Sequence, residues 1–109
     1  GADKVAKQRL AAAATALEKN DREAFHDALG KALEGYFADK FNLGVAEVNA
    51  GTIKAKLGGL DEGRTAEAYI ALLRDAEMAR FAPMENKPQR QIYDEASAII
   101  SRIENQLRT

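Results

Sequence analysis

Apolar side chains recur along this chain at three- and four-residue spacing, block after block, and that rhythm predicts helices. The densest block is residues 23–41, EAFHDALGKALEGYFADKF. There Phe25, Leu29, Leu33, Tyr36, Phe37 and Phe41, filled in by Ala28 and Ala32, share one broad helical face. The chain has four Phe and three Tyr, and this block holds four of those seven aromatics. Burying five or six such side chains gives a gross stabilisation on the order of 10 kcal/mol. That rivals the whole net stability of a small domain, so the other helices are expected to fold onto this one.

Before it, residues 3–19 read as one helix with a narrow stripe of Val5, Ala6, Leu10, Ala13, Ala14 and Leu17. The run of alanines at 11–14 has maximal helix propensity. Asn20 and Asp21 break the pattern, and Asn20 followed by Glu23 has capping-box spacing. A tight antiparallel hairpin of the first two helices follows. Gly30 and Gly35 each cost about 1 kcal/mol inside a helix. Either aromatic packing tolerates them or another helix crosses closely there. Asn42 or Gly44 supplies a left-handed stop.

Further on, residues 45–49 suit a single turn, and Thr52 suits the N-cap of a short helix over 53–57. Gly58 and Gly59 end it, Leu60 inserts into the core, and Asp61 caps a helix over 62–81. Its inner boundary is Ala66, Tyr69, Ile70, Leu73 and Ala76, with Met78 or Glu77 at the edge. Pro83 stops it, residues 84–87 form a polar connector, and Pro88 fits the first turn of a last helix. There Ile92, Ala96, Ile99, Ile103 and Leu107 make one stripe, with Tyr93 and Ile100 beside it. No unit returns at a fixed repeat period. The expectation is an all-α compact bundle of about five helices forming one domain over residues 3–109, with Gly1 and Ala2 read as a cloning scar.

Bulk composition narrows the chemistry. A length of 109 residues suits a single core. The absence of Cys excludes disulfides, a thiolate zinc site and a Cys nucleophile. Sixteen basic against seventeen acidic residues leave a formal charge of −1, unlike a nucleic-acid-binding balance. Residues 52–57 and 62 onward can be drawn as a helix-turn-helix. Its second helix would carry Glu62, Glu67, Asp75 and Glu77 against Arg64, Arg74 and Arg80, too mixed to neutralise many phosphates. No apolar run approaches the ~20 residues that span a bilayer, and no signal peptide is visible.

Candidate chemical groups are few. His26 is the one histidine; it lacks further ligands at helical spacing and reads as a surface or boundary residue. Gly58-Gly59 has no following Lys-Ser or Lys-Thr, so no phosphate loop is present. Ser97 and Ser101 sit one turn apart with no histidine nearby and read as polar-face hydroxyls. Glu77 and Arg80, three apart, can pair on one helical face beside Phe81. These readings leave no catalytic, cofactor-binding or metal residue, and no enzyme is expected.

Two segments together carry a family resemblance. Phe25, Ala28, Leu29, Ala32, Leu33, Tyr36, Phe37, Lys40 and Phe41 are the first; the second runs LLRDAEMARFAP, from Leu72 to Pro83. Their pattern resembles the C-terminal soluble domain of BatD proteins, bacterial membrane proteins of the Bacteroides aerotolerance cluster, over about residues 21–107. The most specific piece is Ala79-Arg80-Phe81-Ala82-Pro83 closing a helix. Where members often have Cys-Asp, this chain has Ala76-Glu77, keeping the charge and losing the thiol. The resemblance implies a non-catalytic domain on the cytoplasmic side of the bacterial inner membrane, anchored through a helix outside this fragment. It also implies partners: Bat-type membrane proteins with von Willebrand factor A domains and a MoxR-type AAA+ ATPase. Lys4, Lys7 and Arg9 would then lie near the membrane surface.

On this reading the chain is a protein-interaction module whose contact surface takes in Arg80, Phe81 and Pro83, with Tyr36 and Lys40 of the aromatic helix. Arg and aromatic residues dominate binding hot spots. The alternative places Phe81 and Tyr36 in the core. A different class of function, structural self-association, would use the Ile92–Leu107 stripe between copies.

Overall fold

The computed structural model describes residues 1–81 and 87–108. Among these residues it contains six α-helices and no strand: α1 (Ala2–Arg9), α2 (Ala11–Glu18), α3 (Arg22–Phe41), α4 (Ala50–Leu57), α5 (Arg64–Met78) and α6 (Gln89–Gln106). Two short 3₁₀ turns, Val45–Glu47 and Asp61–Gly63, lie before and after α4.

The expected first helix is two helices. The chain bends at Leu10 (φ −97°, ψ 12°), which is fully buried at the corner. The reason is tertiary: α1 packs mainly on α6, whereas α2 packs on α3. The bend keeps its hydrogen bonds, with the Leu10 N–H on the Ala6 carbonyl at 3.0 Å and the Ala14 N–H on Leu10 at 2.9 Å. Ala2 already belongs to α1, and the Gly1 carbonyl accepts from the Val5 N–H.

The α2–α3 hairpin forms as expected, but its caps sit one residue later. Asn20 takes the left-handed conformation (φ 55°) and closes α2. The Asp21 N–H reaches the Ala16 carbonyl and the Asn20 N–H reaches Leu17, a Schellman closure. Asp21, not Asn20, is the N-cap of α3, accepting from the Ala24 N–H at 3.1 Å.

Phe25, Leu29, Leu33 and Phe37 of α3 have no exposed surface. The Phe37 ring lies 4.7 Å from that of Phe41 and 5.8 Å from that of Tyr69 on α5, the separations of favourable aromatic pairs. The buried Tyr69 hydroxyl donates to the Leu33 carbonyl. Asn42 (φ 56°) ends the helix, and Gly44 stays extended. The two glycines differ from each other. A methyl at Gly30 would meet the Ala76 Cβ at an ordinary 3.6 Å, and at Gly35 it would meet nothing within 4 Å. Neither position therefore depends on a tight helix crossing.

Helix α4 starts three residues early because Asn49 and Thr52 cap each other. Each side chain accepts the other's backbone N–H at 3.0 Å. Helix α5 starts late. Asp61, Glu62 and Gly63 all have positive φ (48°, 54° and 88°), so helical geometry begins only at Arg64. Ala66, Tyr69, Ile70, Leu73 and Ala76 face inward as expected, joined by Leu72, while Met78 and Glu77 stand exposed. Leu60 is partly buried against the core. The Pro83 stop lies outside the described residues, as does the connector except Lys87. Pro88 caps α6 rather than opening its first turn. Ala96, Ile99, Ile100 and Ile103 are buried under the rest of the chain, with Ile92 and Leu107 partly so. The stripe proposed for pairing between copies is thus used within one copy.

Two substitutions in α3 check this packing by urea unfolding. Gly35→Ala gains about 1 kcal/mol, since the methyl is unobstructed. Phe37→Ala loses about 3–5 kcal/mol through the cavity it leaves.

Candidate functional site

Helices α3 and α5 run antiparallel, so the start of α3 lies beside the end of α5. Asp27 faces Arg80, Gly30 faces Ala76, and Leu33 meets Tyr69. A half-open cleft of about 710 Å³ sits at this junction, lined by Asp21, Arg22, Glu23, Ala24, His26 and Asp27 from α3 and its cap, and by Ala76, Ala79 and Arg80 from the end of α5. His26 is buried at 6% exposure, which corrects the expectation of a surface or boundary residue. The His26 ring meets Phe25 edge-on at 5.2 Å, and His26 lines the cleft together with Ala76 and Ala79.

Arg80 does not pair with Glu77. Its guanidinium turns toward Asp27, 3.9 Å away, and Asp27 is held more closely by Lys31 at 3.0 Å. It also lies 5.8 Å from the centre of the Phe81 ring, a cation–π arrangement. Phe81 is 74% exposed, so of the two aromatics that could have been core, this one is not.

Tyr36 is core, and Lys40 goes with it. The Tyr36 hydroxyl and the Lys40 ammonium both donate to the same Glu104 oxygen on α6, the ammonium at 2.9 Å. Tyr36 is 2% exposed and the Lys40 side chain 9%, so neither offers a docking surface. Arg9 of α1 lies over the Tyr36 ring and pairs with Asp39 at 2.8 Å. Burial, then the bond to Glu104, pushes the Tyr36 phenol far above its ordinary range. The Tyr36 hydrogen bond, then Lys40, holds the Glu104 carboxyl below the usual carboxylate value.

The expected surface therefore divides in two. Arg80, which lines the cleft, and the neighbouring Phe81 stand in the open, Tyr36 and the Lys40 side chain are held against Glu104, and Pro83 lies outside the described residues. Glu104 was missed because its partners are 68 and 64 residues away and no local pattern links them. Ser101 donates to Asp3 at 2.8 Å, across the α1–α6 contact. Among the described residues no group of three or more His, Asp or Glu side chains could hold a metal ion. None of the described helices is long and apolar enough to cross a membrane. Searches of protein-family models, curated proteins and solved structures find no match to this chain.

The Tyr36–Glu104–Lys40 cluster predicts a pH signature. Glu104 titrates lower in the folded chain, so its stabilisation is present above the unfolded carboxyl value of about 4.3 and is lost as pH falls through the lower folded value. Tyr36 titrates higher when folded, so its stabilisation is present below about pH 10 and is lost as pH rises beyond it. Glu104→Gln should cost about 1–3 kcal/mol at neutral pH and flatten the acid limb of urea midpoint against pH.

Proposed function

We propose that this chain is a non-catalytic protein-interaction domain that docks a partner at Arg80 and Phe81, in the turn that follows α5. The observation that carries the reading is Phe81 itself, a phenylalanine left 74% exposed, with the guanidinium of Arg80, a cleft-lining residue, 5.8 Å from its ring centre. Exposing so large an apolar side chain forgoes roughly 1.5–3 kcal/mol of burial, and Arg beside an aromatic is the composition of interface hot spots. The resemblance of residues 21–107 to BatD C-terminal domains supports the identity of the partners. On that basis the chain is the cytoplasmic-side domain of a membrane-anchored aerotolerance protein. It serves as an adaptor between von Willebrand factor A proteins and a MoxR-type ATPase.

The test is capture of a purified Bat-type von Willebrand factor A protein, and separately of a MoxR-type ATPase, on the immobilised domain at low micromolar concentration. Wild type retains at least one of them. Arg80→Glu and Phe81→Ala each weaken retention about thirtyfold or more, the loss of a 2 kcal/mol hot spot, while melting temperature is unchanged. Equal retention by folded variants removes this turn from the interface.

A further inference from the structure

Three large apolar side chains stand open among the described residues: Val45, Met78 and Phe81. Val45 lies apart, in the 3₁₀ turn after α3. The other two share one turn. Met78 is the last residue of α5, and its carbonyl accepts the Phe81 N–H at 2.9 Å. Met78 is half exposed, whereas the buried apolar core of the described residues is built from Ala, Leu, Ile, Phe and Tyr. The chain has two Met and no Cys, so no thiol competes within it for an oxidant. The Met78 thioether is thus a sulfur that the core does not shelter, one turn of chain from Arg80 and Phe81.

A thioether is soft, apolar and adaptable, which suits a contact surface. It is also open to peroxide. The sulfur lone pair takes one oxygen from hydrogen peroxide as the O–O bond breaks, and the second oxygen leaves as water. The sulfur is oxidised by two electrons, and the product is a polar, chiral sulfoxide. We propose that Met78 is a reversible oxidation site whose sulfoxide form weakens docking at Arg80 and Phe81. That consequence rests on the docking proposed above. A partner covering this turn would bury an S=O group where an apolar side chain had been, and that desolvation is unfavourable unless a donor meets it. Because Met78 lies outside the core, its oxidation leaves the fold in place. A methionine sulfoxide reductase restores the thioether with two thiols, which leave as a disulfide while the oxygen leaves as water.

The test uses the full chain carrying Met84→Leu, which leaves Met78 as its one sulfur. Mass spectrometry should show hydrogen peroxide oxidising Met78 at a rate within about threefold of that of free N-acetylmethionine amide, with the melting temperature unchanged. Capture of whichever purified partner the unoxidised chain retains should weaken about tenfold or more on the sulfoxide. It should return after treatment with methionine sulfoxide reductases of both stereospecificities and dithiothreitol. Met78→Leu, apolar and without sulfur, should keep capture and lose its response to peroxide. Resistance of Met78 to peroxide in the folded chain, or a sulfoxide form that binds as tightly as the thioether, overturns this proposal and leaves the docking surface standing. If neither partner is retained, or if Arg80→Glu and Phe81→Ala bind as well as wild type, the docking surface falls and the effect of oxidation falls with it.

Discussion

The fold depends on the contact between α3 and α5 around Phe37 and Tyr69. The Phe37 ring touches both Phe41 and Tyr69, and the Tyr69 hydroxyl is satisfied by a backbone carbonyl of α3 rather than by water. Burying a phenol in this way is costly unless its hydrogen bond is made, so the two helices are held at one relative register. That register then places Ala76 against Gly30 and Arg80 near Asp27. The exposed Arg80–Phe81 pair, in the turn after α5, is where it is because the aromatic contact about three turns earlier fixes the helix.

A second constraint works at the same end of α3. Tyr36 and Lys40 converge on Glu104, joining α3 to the last turns of α6, while Arg9 brings in α1. Truncating any one member would leave charged or polar groups poorly solvated, which is costlier than losing a surface pair. The aromatic helix is thereby tied to α5 by apolar packing and to α6 by a polar cluster, with α2 folded back along it by the hairpin.

Most of the architecture was legible in the sequence because periodicity reports which face of a helix is buried. The faces of α3, α5 and α6 were read nearly residue by residue, and the α2–α3 hairpin from its break at Asn20-Asp21. Where the reading failed, a nonlocal demand had overruled a local one. Leu10 bends a helix that propensity alone would run straight, because α1 and α2 have different partners. Asp61–Gly63 adopt left-handed geometry, which delays α5 past its expected cap. The candidate site was half legible. Arg80 and Phe81 are open, where the alternative put Phe81 in the core, and a tyrosine and a lysine on an amphipathic helix look the same in sequence whether they face solvent or a half-buried glutamate. His26 was misread for a related reason: the residues that line its cleft with it include Ala76 and Ala79, about 50 positions along the chain.

If α3 is the element on which the others are assembled, its amides should be the last to exchange. Native-state hydrogen exchange read by NMR addresses this directly. Residues 29–37 should exchange only through global unfolding, with free energies equal to that from urea unfolding, while α1 and the ends of α6 open at lower cost. Exchange of residues 29–37 at a free energy below that of α6 would mean that α3 is not the frame of this fold.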